Sequence, residues 1–326
     1  MTDTRRRVAV FSLGGTIAMT SQDAGGATPT LSAGDLVEAV PGLAETGVTI
    51  EVHDFRRLPG ASLGFRDLLD LVEEMEALDA DGVVITQGTD TIEETSYLID
   101  LVYSAEMPIV VTGAMRNASM AGADGPANVL AAIRVAASVE ARGIGTVVVF
   151  GEEIHAARWV RKAHATSPTA FTSYPGPIGY VAEDRVRIWS QPTEEPKVPR
   201  QQLTNDARTA VALIGLGDDG VVLRAIGAQV NGLVVAAFGA GHVPMGCVDA
   251  LADLAKEMPV ILATRTGAGP VLTDTYGFPG SESDLLARGL IAANTLGPIK
   301  ARILLQLLLM RGADHSEIAE HLSRIH

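Results

Sequence analysis

Cysteine is almost absent from the sequence. Cys247 is the only one, which excludes an intrachain disulfide and a cysteine metal cluster and is typical of a reducing compartment. Aromatic residues make up 4% of the chain, so Ala, Val, Ile and Leu must build most of its core. Positive charge is also scarce, since 25 Lys and Arg stand against 39 Asp and Glu and the formal net charge is −14. A chain this acidic is a poor candidate for binding nucleic acid or an anionic membrane.

Long apolar runs are absent too. No stretch approaches the ~18 apolar residues that a membrane span requires. The N-terminus places three arginines, 5–7, before a short apolar run, an order that also occurs in secretory and twin-arginine signals. The run at 8–11 is too short for a signal peptide, so we interpret it as a first strand and expect a cytoplasmic protein.

Alternating strand and helix patterns dominate the first half of the chain. The runs predicted as strands are 8–13, 48–55, 82–86, 108–112 and 146–150, and several are apolar throughout, as in parallel strands buried on both faces. Helical periodicity is found at 33–40, 65–77, 92–103 and 127–138. This order predicts an α/β fold whose large N-terminal domain is a doubly wound, mostly parallel sheet.

The remainder of the chain predicts a second, smaller α/β domain. Residues 151–167 lack helical periodicity and are interpreted as a hairpin or an irregular flap, and 190–210 is rich in Pro, Gln and charge, as linkers are. We therefore predict an N-terminal domain at 1–189, a linker at 190–210 and a C-terminal domain at 211–326. The second domain has predicted strands at 211–216, 232–238 and 259–264 and predicted helices at 248–256, 297–310 and 315–325.

Gly14-Gly15-Thr16 follows the first predicted strand directly. Ligands of such folds bind beyond the carboxyl ends of the strands, so this position is a candidate site. The segment lacks both the GxGxxG spacing of a dinucleotide site and the lysine of a P-loop. It is either a plain tight turn or a glycine hinge that exposes the hydroxyl of Thr16.

A second candidate segment, ITQGTDTIEET, follows the strand at 82–86. Asp90 or Thr91 could cap the next helix, with Glu93 or Glu94 completing a capping box. The alternative is a binding site, because N–H groups at a helix N-terminus bind carboxylates while Thr89 adds a hydroxyl and Asp90 a negative charge. A zwitterionic amino acid matches that combination.

Three further features of the sequence bear on a possible site: a loop of small residues, a lysine and the spacing of potential metal ligands. The loop 113–124 is rich in small residues, and Arg116 and Asp124 are expected to pair and hold it. Lys162 lies in the predicted flap, where it is either solvated or a catalytic lysine of lowered pKa. The sequence lacks histidine, cysteine or aspartate patterns with metal-ligand spacing, so we expect no metal site.

Taken together and in order, these segments resemble the bacterial-type L-asparaginase family. The motifs are SLGGTIA, ITQGTDTIEETSYLIDL, VVTGAMRNASMAGADGPANV, ARWVRKAHATSPTAFTSY and GPIKARILLQLLL, which span nearly the whole chain. The resemblance implies a homotetramer built as a dimer of dimers, with active sites between domains of neighbouring subunits. It implies hydrolysis of a small-molecule substrate, L-asparagine, without a cofactor or a metal.

The resemblance also implies roles for individual residues. Thr16 matches the nucleophile and Thr89 the second catalytic threonine, while Asp90 and Lys162 complete the catalytic group. Thr16 would attack the side-chain amide carbon, ammonia would leave, and water placed by Thr89 and Lys162 would hydrolyse the aspartyl ester. The implied substrate-binding positions are Gly15, Gly60, Ala61, Ser62, Gly88, Thr89, Asp90, Ala114 and, from the neighbouring subunit, Glu282.

Two departures from the family pattern affect these expectations. The segment 21–35 has no tyrosine, and Leu31 falls nearest the place where many members have one, so another group or loop closure must help deprotonate Thr16. Gly60 and Ala61 stand where the family usually has serine and often glutamine. Since a lost hydrogen bond to a charged group costs roughly 1.5–3 kcal/mol, we predict weaker asparagine binding than in a typical exported member.

Three alternatives stay open from the sequence. The chain could be a glutaminase-asparaginase that also accepts L-glutamine, or could hydrolyse a related β-amide or D-amino acid, because the motifs do not separate these substrates. An amidotransferase subunit for aminoacyl-tRNA synthesis shares the catalytic domain but normally carries an extra N-terminal domain. A non-catalytic amino-acid-binding protein would keep Asp90 but would need neither Thr16 nor Lys162.

Overall fold

The structure is a computed structural model that describes residues 5–15, 17, 19–21, 27–29, 32–193 and 195–325. It divides into two compact units, Met1–Thr193 and Glu194–His326. The boundary falls inside the predicted linker 190–210, and the end of that segment already belongs to regular structure of the second unit, with a strand that begins at Thr209.

The first unit alternates strands with helices along most of its length. Its elements are β1 (Arg7–Ser12), β2 (Met19–Ser21), β3 (Ala27–Pro29), α1 (Ala33–Glu38), β4 (Thr49–Asp54), α2 (Phe65–Glu76), β5 (Gly82–Thr86), α3 (Ile92–Val102), β6 (Ile109–Thr112), α4 (Gly125–Ala137), β7 (Thr146–Phe150), β8 (Glu153–Ala156), β9 (Val160–Lys162), β10 (Phe171–Ser173), β11 (Gly179–Ala182) and β12 (Arg185–Ile188).

Eight of these strands form one sheet in the order β12-β11-β8-β7-β6-β5-β1-β4. The five strands from β7 to β4 are parallel, whereas β8, β11 and β12 run antiparallel to their neighbours. β5, β6 and β7 are buried along their whole length, as their unbroken apolar sequences predicted. Helices α1 and α4 pack on one face of the sheet, through residues such as Leu36 and Ile133. The predicted mostly parallel sheet is confirmed.

The second unit is a smaller α/β layer. Its elements are β13 (Thr209–Leu213), α5 (Val221–Gly227), β14 (Gly232–Ala237), α6 (Val248–Glu257), β15 (Val260–Thr264), α7 (Glu282–Ala287), β16 (Ile291–Ala292), α8 (Pro298–Arg311) and α9 (His315–Ser323). The strands β13-β14-β15-β16 form a parallel sheet in sequence order. The fold class predicted for this part of the chain is therefore confirmed.

Two differences from the predicted elements have local causes. The strand predicted at 211–216 ends at Leu213, because Gly215 donates its N–H to the Asp218 carboxylate and the chain turns, leaving Leu216 fully exposed. β11 and β12 were not predicted, since neither forms an apolar run: in β11 the buried Gly179 and Val181 alternate with more exposed residues, and β12 alternates exposed and partly buried ones. Among the described residues, no helix combines the length and the apolar character needed to cross a bilayer.

Candidate active site

Four loops meet at one edge of the large sheet. They follow the carboxyl ends of the adjacent strands β4, β1, β5 and β6 and carry Gly60–Ser62, Gly14 and Gly15, Gly88 to Asp90, and Gly113 and Ala114. The chain leaves β1 toward β4 on one side of it and returns as β5 on the other side. The β1–β5 boundary is therefore the topological switch point at which ligands bind in open α/β sheets.

Three glycines let the backbones of these loops come close together. Gly15 has φ +86°, and a Cβ added to it would lie 2.0 Å from the backbone nitrogen of Gly88. A Cβ on Gly60 would lie 3.0 Å from the Gly88 carbonyl oxygen. Position 15 therefore has no room for a side chain, and the glycine at position 60 has the same steric reason.

The predicted nucleophile, Thr16, lies outside the described residues. Its neighbours on both sides are described. Gly15 packs on Gly88, and the buried Ile17 belongs to the same apolar cluster as Ala114. Leu31 and most of the loop 22–31 also lie outside the described residues. The expectation about the tyrosine that this loop lacks therefore stays a prediction.

Thr89, Asp90 and Lys162 are brought together by the fold. The Lys162 ammonium donates one hydrogen bond of 2.9 Å to Thr89 Oγ1 and another of 2.8 Å to Asp90 Oδ1. Thr89 is 5% exposed and the Lys162 side chain 17%, whereas the Asp90 side chain is 68% exposed. The arrangement combines a buried hydroxyl, a cation that binds its oxygen, and a carboxylate that solutes can reach.

Lys162 reaches this point on a hairpin outside the large sheet. β9 and β10 pair only with each other among the described strands, with Lys162 directly opposite Phe171. The hairpin is docked on the sheet at β10, where the ring of Phe171 lies 4.7 Å from that of Phe150 and Ser173 Oγ lies 2.9 Å from His155 Nδ1. The segment 151–167, predicted as a hairpin or an irregular flap, thus contributes β8 to the large sheet and only the first strand of this hairpin, whose second strand lies at Phe171–Ser173.

The capping box predicted for α3 is wrong. Thr91 occupies the N-cap position but makes no side-chain capping bond. Its hydroxyl instead donates to the Gly60 carbonyl oxygen at 3.0 Å and accepts from Gln87 Nε2 at 3.2 Å. The carboxylate of Glu93 accepts from the backbone N–H of Lys162. The side chains of Thr91 and Glu93 therefore bind backbone atoms that are distant in the sequence. The local spacing of residues does not predict such contacts.

The loop after β6 is held by backbone contacts. Asp124 accepts hydrogen bonds from the backbone N–H groups of Met115 and Arg116 at 3.0 and 2.9 Å. Arg116 donates to the carbonyl oxygen of Gly122 at 3.2 Å. Both residues hold the loop and contact each other, as expected, but this contact uses the backbone N–H of Arg116, while its guanidinium binds Gly122. Ala114 is buried at the start of this loop.

The other predicted binding positions differ in their exposure. Gly60 is buried, whereas Ala61 and Ser62 are exposed at the same short turn. Among the residues that the structure describes, no group of three or more His, Cys, Asp or Glu side chains could hold a metal ion.

Glu282 lies in the second unit, and its carboxylate is buried and engaged. Oε1 accepts from the backbone N–H groups of Thr275 and Tyr276 at 3.0 and 2.7 Å, and Oε2 lies 3.0 Å from Nε2 of His242. Burial by itself raises the pKa of this carboxyl, but the hydrogen bonds, led by that from Tyr276, outweigh it and hold the pKa below its usual range. Within its own unit Glu282 fixes the loop before α7.

Comparison with known proteins gives matches along nearly the whole chain. The family models described as "Asparaginase, N-terminal" and "Glutaminase/Asparaginase C-terminal domain" match residues 7–194 and 210–322. A "Probable L-asparaginase" of Deinococcus radiodurans is 38% identical over 96% of this chain and 95% of its own.

Other relatives carry related names. A "Probable L-asparaginase periplasmic" of Haemophilus influenzae is 32% identical, covering 96% of this chain and 91% of its own, and a "Glutaminase-asparaginase" of Pseudomonas fluorescens biotype A is 30% identical, covering 95% and 88%. A solved structure of a probable cytoplasmic L-asparaginase from Campylobacter jejuni superposes with a TM-score of 0.88 at 31% identity, covering 98% of this chain and all of that one.

Proposed function

Because this chain belongs to the asparaginase family, we propose that it hydrolyses the side-chain amide of L-asparagine to L-aspartate and ammonia. Relatives that bear the name L-asparaginase align over nearly the full length of both chains. The single observation that carries the proposal is the contact of Lys162 with Thr89 and Asp90 at the switch point of the sheet.

Thr16 is the nucleophile in this proposal. It follows Gly15, which packs on the backbone of Gly88, and it precedes Ile17, which shares a buried cluster with Ala114. These two neighbours lie against residues of the loops after β5 and β6, which carry the other residues of the proposed site. The Oγ of Thr16 attacks the amide carbon of asparagine, backbone N–H groups stabilise the oxyanion, and ammonia leaves to give an aspartyl ester.

Thr89 and Lys162 serve the second half of the reaction. The Lys162 ammonium donates to Thr89 Oγ1 and holds this hydroxyl in place, so its remaining lone pair can accept a hydrogen bond from a water molecule and orient it. The water attacks the ester carbonyl carbon, one of its protons passes to the departing Thr16 Oγ, and aspartate is released. Lys162 is held in this role by Asp90, whose carboxylate neutralises the ammonium at 2.8 Å.

The same helix start is suited to the amino-acid end of the substrate. N–H groups at the start of α3 favour the α-carboxylate, since the positive end of the helix dipole lies there. The Asp90 carboxylate, 68% exposed, is accessible to the α-ammonium group. Gly88, Thr89 and Asp90 thus supply complementary charge to a zwitterion, with Gly60, Ala61 and Ser62 on the neighbouring loop.

We propose that the two compact units, which divide after Thr193, are the N- and C-terminal domains, and that the protein is a cytoplasmic homotetramer built as a dimer of dimers. The name of the Campylobacter jejuni protein supports the cytoplasmic location, whereas the Haemophilus influenzae relative is named periplasmic. Light scattering of the purified protein and fractionation of the source cells test these two points. A monomer, or recovery outside the cytoplasm, would contradict them.

A second candidate function is a glutaminase-asparaginase of broader specificity, which the name of the Pseudomonas fluorescens relative favours. Purified protein is incubated with L-asparagine and L-glutamine, separately and at equal concentration, and ammonia and the acidic product are quantified. We expect equimolar ammonia and aspartate from asparagine. Comparable rates on both amides would favour the broader function. If neither amide releases ammonia, the remaining alternative is a non-catalytic amino-acid-binding protein.

A further inference from the structure

Lys162 is held by a small element whose position on the sheet is not set by strand pairing with it. β9 and β10 have three residues each and pair with each other alone among the described strands. The place of the Lys162 ammonium beside Thr89 therefore depends on side-chain contacts that dock this hairpin. A two-stranded hairpin has little stability of its own, so each docking contact matters for the geometry of the site.

Glu93 makes such a contact on the backbone of Lys162 itself. Its Oε2 accepts the Lys162 backbone N–H at 2.6 Å, across 69 positions of sequence. This bond needs an acceptor oxygen at the end of a side chain long enough to reach the N–H, which an amide oxygen could supply as well as a carboxylate. The Glu93 side chain thus binds the main chain at the residue whose side chain performs the chemistry.

The same helix start binds both ends of Lys162. Glu93 lies in the first turn of α3, three positions after Asp90, and the 3-10 turn Thr89–Thr91 leads directly into that helix. Thr89 and Asp90 accept from the ammonium while Glu93 accepts from the backbone N–H. The backbone N–H and the ammonium of Lys162 therefore both bind one continuous segment, 89–93. These two attachments set the distance between Lys162 Nζ and Thr89 Oγ1.

We propose that Glu93 is a positioning residue for Lys162 and that the reach of its side chain, more than its charge, sets the turnover of the site. The inference rests on the proposed function of Lys162. Without the Glu93 contact the β9 strand shifts relative to α3, and a displacement of about 1 Å in such a group can cost on the order of 100-fold in rate. Substrate contacts at Gly88 and Asp90 stay in place, so the effect falls on kcat.

Three substitutions separate reach from charge. Glu93→Gln keeps the length and an oxygen acceptor but loses the charge, whereas Glu93→Asp keeps the charge and shortens the side chain by one methylene. Glu93→Ala removes both. We expect kcat for asparagine to stay within about threefold of the parent in Glu93→Gln, to fall about tenfold in Glu93→Asp and further in Glu93→Ala, with KM changed by less than about twofold. An acid that served only the helix dipole would give the reverse order of Gln and Asp.

Two controls make the outcome specific. Glu74→Gln changes an exposed glutamate on the neighbouring helix α2 and should leave kcat at the parent value. In a Lys162→Met background, Glu93→Ala should cause less than about a twofold further loss, because a residue that acts only through Lys162 has nothing left to position. Amide hydrogen exchange of the peptide covering 158–173 should be faster in Glu93→Ala and Glu93→Asp than in the parent and in Glu93→Gln.

The outcomes that overturn the proposal differ from those that overturn the function. Parental kcat in Glu93→Ala and Glu93→Asp, while Lys162→Met retains only a small measurable activity, would contradict the role of Glu93 alone. An equal loss from Glu93→Ala with and without Lys162 would do so as well, and so would unchanged hydrogen exchange at 158–173. Parental activity of Lys162→Met would instead refute the proposed function of the site.

Discussion

The ammonium of Lys162 donates a hydrogen bond of 2.9 Å to the hydroxyl of Thr89, although 73 positions separate the two residues. Thr89 follows the central strand β5, and Lys162 ends the first strand of a separate hairpin. The ammonium fixes the buried hydroxyl in place, so that the free lone pair of its oxygen can orient a water molecule toward an ester intermediate. The fold thus turns two ordinary polar residues into one chemical unit.

The close approach of Gly15 and Gly88 should make position 15 intolerant of any side chain. In Gly15→Ala the new Cβ would meet the Gly88 nitrogen at 2.0 Å and would also oppose a φ of +86°. We expect loss of activity and a drop of more than about 3 kcal/mol in the free energy of unfolding, measured by urea denaturation.

Gly47→Ala is the matched control for that substitution. Gly47 also has a positive φ, +66°, but a Cβ there would meet nothing within 4 Å. Gly47→Ala should lower the free energy of unfolding through backbone strain alone, by about 1–2 kcal/mol, and should leave activity unchanged. Equal losses of stability in the two variants would refute the close-approach argument.

The exposed turn at 60–62 should govern the affinity for substrate. Ala61 is exposed beside the buried Gly60, at a position where the family often has glutamine. If Ala61→Gln gains one hydrogen bond to the α-carboxylate, KM for asparagine should fall by about tenfold or more. Gly60→Ser should not help, because its Cβ would lie 3.0 Å from the Gly88 carbonyl oxygen.

Initial rates across a range of asparagine concentrations give KM for each variant. Ala105→Gln, at another exposed alanine, is the control for the added side chain. A KM for Ala61→Gln equal to that of the parent and of Ala105→Gln would show that position 61 does not face the substrate.

Buried histidines should make the protein sensitive to acid. Burial lowers the pKa of His155 to about 4, although the Glu153 carboxylate lies 3.4 Å from its Nε2. Burial, assisted by Arg311, also lowers the pKa of His321 to about 4. Because the unfolded chain binds these protons near pH 6.5 and the folded chain does not, stability is lost as the pH falls from 6.5 toward 4.

For His155 the loss over that range amounts to about 3 kcal/mol. Urea unfolding of the parent and of His155→Asn between pH 7 and 4.5 measures it. Asparagine keeps a polar atom near Ser173 but does not titrate, so the stability of the variant should depend less steeply on pH than that of the parent. Identical slopes would contradict the assignment to His155.

Glu282 should act within its own unit as the anchor of the loop before α7. In Glu282→Ala the N–H groups of Thr275 and Tyr276 lose their acceptor, and a buried unpaired donor costs about 1–3 kcal/mol. The folded-state pKa of Glu282 is lowered, so its contribution is present above the ordinary pKa of a carboxyl and is lost as the pH falls through the folded value.

The difference in stability between the parent and Glu282→Ala should therefore shrink in acid, as thermal unfolding at pH 7 and at pH 3.5 can measure. The exposed Glu257 on α6 offers a control, Glu257→Ala, for which no loss is expected. If Glu282→Ala is as stable as that control while asparagine affinity falls, Glu282 has only a substrate-binding role.

Most of the fold could be predicted from the sequence, because the central strands β5, β6 and β7 are unbroken apolar runs. The location of Thr89 and Asp90 at the site could also be predicted, because residues that follow the carboxyl ends of parallel strands lie at one edge of the sheet. The role of Glu93 did not follow, because its partner is a backbone N–H 69 positions away and local spacing favoured a capping box instead. β12 was missed because its exposed arginines mask the apolar face of an edge strand.

The most direct test of the account is the rate of ammonia release from L-asparagine by the parent, Thr16→Ala and Thr89→Val, each checked for folding by circular dichroism. Valine matches the shape of Thr89 but removes the oxygen that Lys162 binds, and Thr49→Val on the edge strand β4 is the control. The account predicts a loss of at least about 100-fold in Thr16→Ala and Thr89→Val and a parental rate in Thr49→Val. Parental ammonia release by either folded active-site variant would contradict it.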